Sequence, residues 1–239
     1  MPKPTPAAPP SPSLMHTIKD WTKSLAVGFA MFLVLRAFLI EAFHIPSESM
    51  ENTLLIGDVL FVNKAIYGAG IPFTSKHLPA FRSPKRQDVV IFSSPETPDT
   101  TVVKRVIGVP GDTISMENDS IYVNGKALAE PYVKREVGSV DIEDPKMAAW
   151  QRSRVVKRDP QMYRPSLKNW GPMVVPRDSF FVMGDNREES YDSRYWGFLG
   201  RDRIEGSPLF IYYSWDKDGP LPLAPITGIR WSRLLHVVR

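Results

Sequence analysis

Val102-Val103-Lys104-Arg105-Val106-Ile107-Gly108-Val109-Pro110-Gly111-Asp112 is the stretch that decides the fold class. Its apolar residues are mostly β-branched, the run is short, and Val-Pro-Gly-Asp ends it in a turn, which together describe a strand. On a strand, alternation places Lys104 on one face with Val102 and Val106, so its amine emerges among hydrocarbon. Further brief β-branched or aromatic runs lie at 59–62, 88–92, 120–123, 180–183 and 209–213, separated by Gly, Pro, Asn or Asp. Asn124-Gly125 suits a tight hairpin. The pattern predicts a mostly β domain. Residues 129–176 are charged and irregular, with helix expected around 145–154, and read as an excursion from the main sheet.

The chain has 239 residues, 43% of them hydrophobic, enough to bury one proper core plus an appendage. It has no cysteine, which excludes disulfides, thiolate zinc sites and thiol nucleophiles. The net charge of +4 is spread along the chain rather than gathered in a basic run, so nucleic acid is not an expected partner, and weak attraction to anionic lipid is the simpler inference.

Residues 1–13 are dominated by Pro, Ala and Ser and cannot offset the entropy of ordering. The run 24–40 (SLAVGFAMFLVLRAFLI) carries one charge, Arg36, and spans about 25 Å as a helix, close to the roughly 30 Å of a bilayer core. A cleaved leader lacks its small-x-small site before Glu41, and a buried core helix competes because the run is short and holds Arg36. The favoured reading is a single-pass anchor over 21–40, behind a disordered cytoplasmic tail at 1–20. Lys3, Lys19 and Lys23 hold the N-terminus inside the plasma membrane and send 41–239 to its outer side.

Motifs for metal, nucleotide or nucleophile-elbow chemistry are absent, and the four histidines lie far apart in the sequence. Neither a metal nor a cofactor is expected. Asp185, Glu188, Glu189 and Asp192, interleaved with Arg187 and Arg194, read as an ion-paired loop. Three segments remain: 45–58 (IPSESMENTLLIGD), 102–112, and 184–197 (GDNREESYDSRYWG). Taken singly, each has an ordinary reading as a cap, an edge-strand charge pair or a turn. Together, with Arg86-Gln-Asp-Val-Val-Ile-Phe92, in this order and spacing, they resemble the conserved boxes of bacterial type I signal peptidases. The resemblance covers roughly 41–64, 86–117 and 180–212. Asp58 and Asp112 read as turn formers.

The resemblance implies antiparallel sheets in a partly open β-barrel-like peptidase domain, with a smaller inserted β-rich subdomain at about 118–176 and a transmembrane helix in front. It assigns Ser49 as nucleophile and Lys104 as its base. A lysine serves only when neutral, so its pKa must fall from about 10.4 to roughly 7.5–8.5, and burial must supply most of that. By the same resemblance Ser190 hydrogen-bonds the Lys104 amine, Asp192 and Arg194 pair to hold that loop with Asp185 in support, and the Ser49 N–H and Ser47 hydroxyl form an oxyanion hole. The resemblance further implies that Phe43, Ile45, Met50, Leu54, Val102 and Val103 line shallow pockets for small side chains. The implied partners are signal peptides of exported preproteins, cut after Ala-x-Ala, and the phospholipid membrane.

The chain departs from the family at Glu48, where glycine is frequent, at Glu51-Asn52, where x-Pro is common, and at Val102, often Tyr. The first two leave the nucleophile turn less rigid; the third widens the pocket. Rival readings are a dedicated maturation peptidase of a secretion or conjugation system, a non-catalytic tethered β domain, and a histidine mechanism through His44.

Overall fold

The computed structural model describes residues 14–38, 40–68, 70, 74, 78–135, 138–216 and 224–238. Residues 1–13, most of the expected tail, lie outside that set. Helix α1 runs over Leu14–Phe38, so residues 14–20, expected to belong to the tail, are helical. The reason is local: from Leu14 onward the prolines stop and good helix formers take over. The expected anchor also ends sooner. Ile40 opens β1 (Ile40–His44), where its backbone pairs with a neighbouring strand rather than continuing the helix.

The remaining strands are β2 (Asp58–Asn63), β3 (Val89–Ser93), β4 (Thr101–Gly108), β5 (Thr113–Glu117), β6 (Ser120–Val123), β7 (Lys126–Ala127), β8 (Trp170–Val174), β9 (Ser179–Met183), β10 (Leu199–Gly200) and β11 (Ile204–Ser214). They form a seven-stranded sheet, ordered β1-β2-β11-β3-β4-β9-β10, and a four-stranded sheet, ordered β7-β6-β5-β8. Every pairing between these strands is antiparallel. The protein is mostly β, as its short alternating runs predict. The large sheet is open: among the described residues its end strands, β1 and β10, do not pair with each other.

The strand expected around Lys104 is β4, held between β3 and β9, with Lys104 opposite Val90 and Arg105 opposite Met183. Its two faces pack separate clusters. Val106 and the half-buried Val102 join Val90, Phe92, Phe180 and Val182, while Val103 joins Ile45, Met50, Leu54, Leu60 and Ile91. This agrees with the alternation that puts Lys104 on the face of Val102 and Val106.

The inserted region begins earlier than 118. β5 already belongs to the small sheet, and Ile114, Met116, Trp170 and Met173 share one core with Ile107, Phe181 and Met183 of the large sheet. The hairpin at Asn124 (φ 52) and Gly125 (φ 77) has the two positive φ values that Asn-Gly supplies at low steric cost. Helix α2 (Pro145–Gln151) starts where Asp144 accepts hydrogen bonds from the Lys146 and Met147 N–H groups and Pro145 sets the first turn.

Apolar side chains such as Trp21, Leu25, Phe29 and Phe32 are exposed on α1. Among the described residues no helix is long and apolar enough to cross a membrane.

Candidate active site

Ser49 sits in a single 3-10 turn, Glu48–Met50, just after β1. Core packing and backbone hydrogen bonds tie the turn down on its C-terminal side. Met50 and Leu54 are buried in the core, and the Thr53 and Leu54 N–H groups donate to the Met50 carbonyl at 3.0 and 2.8 Å. Ser47, extended at φ −132 and ψ 162, leads the chain into the turn. Its hydroxyl lies 3.4 Å from the Ser49 hydroxyl.

Lys104 approaches from β4. It is 3% exposed and its Nζ lies 2.5 Å from Ser49 Oγ, a contact spanning 55 positions of sequence. Burial pushes the Lys104 amine down to about 8; Arg194 adds to the fall, and Asp192 and Asp185 oppose it. About a tenth of the amine is therefore neutral at pH 7, against on the order of one part in a thousand or less for an exposed lysine.

The loop after β9 supports this pair. Arg194 and Asp192, both buried, form an ion pair at 2.8 Å. Burial by itself would raise the Asp192 carboxyl, but Arg194 and hydrogen bonds from Arg194, Ser190 and the Gly184 N–H hold it below the usual carboxylate range. Asp185 pairs with Arg105 at 2.6 Å and accepts from Thr53 Oγ1 at 2.5 Å. The ion-paired reading of this loop thus fits, and among the described residues no cluster of potential ligands could hold a metal. One expected contact differs. The Ser190 hydroxyl donates to Asp192 at 2.7 Å and accepts from the Gly184 N–H at 3.2 Å, so its hydrogen bonds go to the loop rather than to the Lys104 amine. The stronger acceptor, a carboxylate two residues away, captures its proton.

A pocket of about 210 Å³ opens beside Ser49, lined by Phe43, Ile45, Pro46, Ser47, Met50, Thr100, Thr101, Val102 and Val103. Five of the six expected lining residues are there. Leu54 is not: it is fully buried against Leu60 and Ile91, because the chain turns inward after Met50. His44 lies flat on Trp215, with ring centroids 5.0 Å apart, and its ring makes no hydrogen bond to Ser49 among the described residues. This removes the support for a histidine mechanism.

Sequence reading missed several contributors. Arg105, beside Lys104 on the other face of β4, grips Asp185 and Thr53; alternation could have flagged it as a buried charge. Gly184 lets two chain segments touch, since a Cβ there would stand 2.3 Å from both the Ser49 carbonyl oxygen and Ser190 Oγ. Asn186 donates its N–H to the Ser49 carbonyl. Asp58 and Asp112 do cap turns, through the Leu55 and Val109 N–H groups. Asp58 also anchors Arg233 of the C-terminal segment, whose guanidinium reaches the Thr53 carbonyl at 3.0 Å. The excursion, without a legible role in sequence, contacts the Glu51-Asn52 departure: Lys134 pairs with Glu51 at 2.9 Å, and Asn52 donates to the Tyr132 carbonyl at 2.8 Å.

A serine hydroxyl against a buried amine at the edge of an apolar pocket is the arrangement that a hydrolase of the serine/lysine kind requires. Comparison with known proteins agrees. Residues 18–214 match the family described as "Signal peptidase, peptidase S26". The chain is 34% identical to Signal peptidase I of Pseudomonas fluorescens over 212 residues, 83% of this chain and 73% of that one. It is 33% identical to Signal peptidase I T of Bacillus subtilis over 204 residues, 84% of this chain and 89% of that one. A crystal structure of a signal peptidase I from Enterococcus faecalis, 31% identical, superposes with a TM-score of 0.35 over 54% of this chain and 98% of that chain. The chain belongs to the signal peptidase family, peptidase S26, and is a peptidase.

Proposed function

We propose that this protein removes N-terminal signal peptides from exported preproteins, with Ser49 as nucleophile and Lys104 as general base. The observation that carries the proposal is the 2.5 Å separation of Lys104 Nζ and Ser49 Oγ within buried surroundings. Neutral Lys104 takes the Ser49 proton as Oγ attacks the scissile carbonyl. The oxyanion that forms is met by the Ser49 N–H and the Ser47 hydroxyl, and the Lys104 ammonium returns its proton to the leaving amine. Water, activated by the same amine, then releases the acyl group from Ser49. The small apolar pocket suits the side chains of an Ala-x-Ala site.

Membrane seating belongs to the same proposal. The apolar run of α1 holds the enzyme at the plasma membrane, with Lys19 and Lys23 on the cytoplasmic side and the β domain outside. Exposed aromatic and aliphatic side chains on α1 support this. Because the chain has no cysteine, single cysteines introduced at the exposed Asp20 and Glu189 read the orientation by membrane-impermeant labelling: Glu189→Cys labels in intact cells and Asp20→Cys does not.

The decisive experiment incubates several unrelated preproteins, in detergent or lipid, with wild type, Ser49→Ala and Lys104→Ala. Wild type cuts each preprotein and neither variant cuts any. Turnover by Lys104→Ala would remove the proposed base, and cleavage of one preprotein alone would replace the general role with a dedicated one.

A further inference from the structure

From the contacts around the nucleophile we infer that Asn186 is a positioning residue that aims the oxyanion-binding peptide through the Glu48 carbonyl; the inference rests on the function proposed above. The Glu48 carbonyl and the Ser49 N–H belong to one planar, trans peptide unit, so they point in opposite directions. Fixing one fixes the aim of the other. Asn186 Nδ2 donates to the Glu48 oxygen at 3.3 Å, and the Asn186 backbone N–H donates to the Ser49 oxygen at 3.1 Å. One residue thus grips the peptide units on both sides of Ser49. Only the amide nitrogen can donate, so the side chain's orientation is set by its acceptor.

Two further observations give this grip its stiffness. Asn186 is 3% exposed and forms a parallel β-bridge with Lys134, in which the Lys134 N–H donates to the Asp185 carbonyl at 2.8 Å. The Glu48 oxygen also accepts the Glu51 N–H at 2.9 Å, so its direction is defined twice. The Ser49 N–H itself has no hydrogen-bond partner among the described residues, which leaves it free for a developing negative charge. A hydrogen bond to the carbonyl end of an amide also polarises its N–H, strengthening the donor that faces the reaction. Asn186 therefore acts on the transition state and leaves the ground state and Lys104 alone.

The test compares wild type with Asn186→Ala, and with the isosteric Asn186→Asp, whose carboxylate cannot donate to the Glu48 oxygen. Both keep the backbone bond to Ser49. Removing an oxyanion donor outright costs on the order of 100-fold or more, and loosening one while keeping it should cost about tenfold. The expected result for Asn186→Ala is kcat down about tenfold, KM within about twofold, and the acid limb of the pH–rate profile unmoved; Asn186→Asp loses kcat at the high-pH plateau by at least as much, while its added carboxylate moves the acid limb upward. Inhibition by a peptide aldehyde ending in Ala-x-Ala, which forms a tetrahedral adduct on Ser49, should weaken in step with kcat/KM. Should Asn186→Ala not fold, Asn186→Asp decides the matter. Unchanged kcat in the folded variants, or a loss confined to KM, overturns the role of Asn186 while wild-type cleavage keeps the proposed function. Absence of both cleavage and aldehyde inhibition in wild type overturns the proposed function instead.

Discussion

Replacing Lys104 with methionine should stop turnover and yet make the protein more stable at neutral pH. Methionine is unbranched and of similar length, so it fills the space among Val90, Val102 and Val106 without a charge to desolvate. The native amine, held at about 8 instead of 10.5, loses about 3 kcal/mol of folding stability at pH 7, at about 1.36 kcal/mol per pH unit of difference. The hydrogen bond to Ser49 that the variant forfeits offsets about 1 kcal/mol of this, leaving a net gain of about 2 kcal/mol. Below pH 8 both folded and unfolded lysine carry the proton and the full penalty applies. Between pH 8 and 10.5 the unfolded chain alone binds it, so wild-type stability rises across that window and the advantage of the variant shrinks. Above 10.5 neither state is charged, and the variant is the weaker by its lost hydrogen bond. Urea unfolding in detergent, monitored by tryptophan fluorescence at intervals from about pH 7 to 10.5, measures the difference, and titrations shared by both proteins cancel. A variant less stable than wild type at neutral pH, or a difference independent of pH, would refute the claim that burial destabilises the ammonium form.

For the wild-type enzyme, kcat/KM on a signal-bearing substrate should rise tenfold per pH unit below an inflection near 8 and level off above it, since only neutral Lys104 accepts the Ser49 proton. An inflection at about 6.5 in this rate profile would point to histidine instead. Gly184→Ala should lower kcat by on the order of 100-fold, because its Cβ would stand 2.3 Å from the Ser49 carbonyl oxygen and displace the nucleophile turn. Steady-state kinetics beside a thermal melt of the same sample check it, and a folded alanine variant with wild-type kcat would show that the close approach is dispensable.

How much of the fold and site was legible in the sequence varied by element. The strands at β2, β3, β4, β6, β9 and β11 announced themselves by short β-branched runs between turn residues. β1 did not, because its apolar start at Ile40 continues the hydrophobic run of α1 without punctuation. β5 and β8 gave weaker signals, because Thr113–Glu117 holds only two large apolar residues and Gly171-Pro172 interrupts Trp170–Val174. In the candidate site, Ser49 and Lys104 were found because a resemblance joined separated segments. Asn186 and Gly184 stood in the segment 184–197 without a visible task, since neither titrates and each acts through the backbone.

The sequence alone determined local quantities: that β2, β3, β4, β6, β9 and β11 are extended, that Asn124-Gly125 turns the chain, and that Lys104 shares a face with Val102 and Val106. Those depend on neighbours within a few residues, whose sterics and hydrogen bonds are set by residue type. The tertiary structure decided what no local rule contains: that the hydroxyl at 49 meets the amine at 104, that Leu54 turns away from the pocket, and that Tyr132, Lys134 and Arg233 brace the nucleophile turn. Such contacts join parts of the chain far apart in sequence. They exist only once the burial of both sheets has offset the entropy of closing those loops.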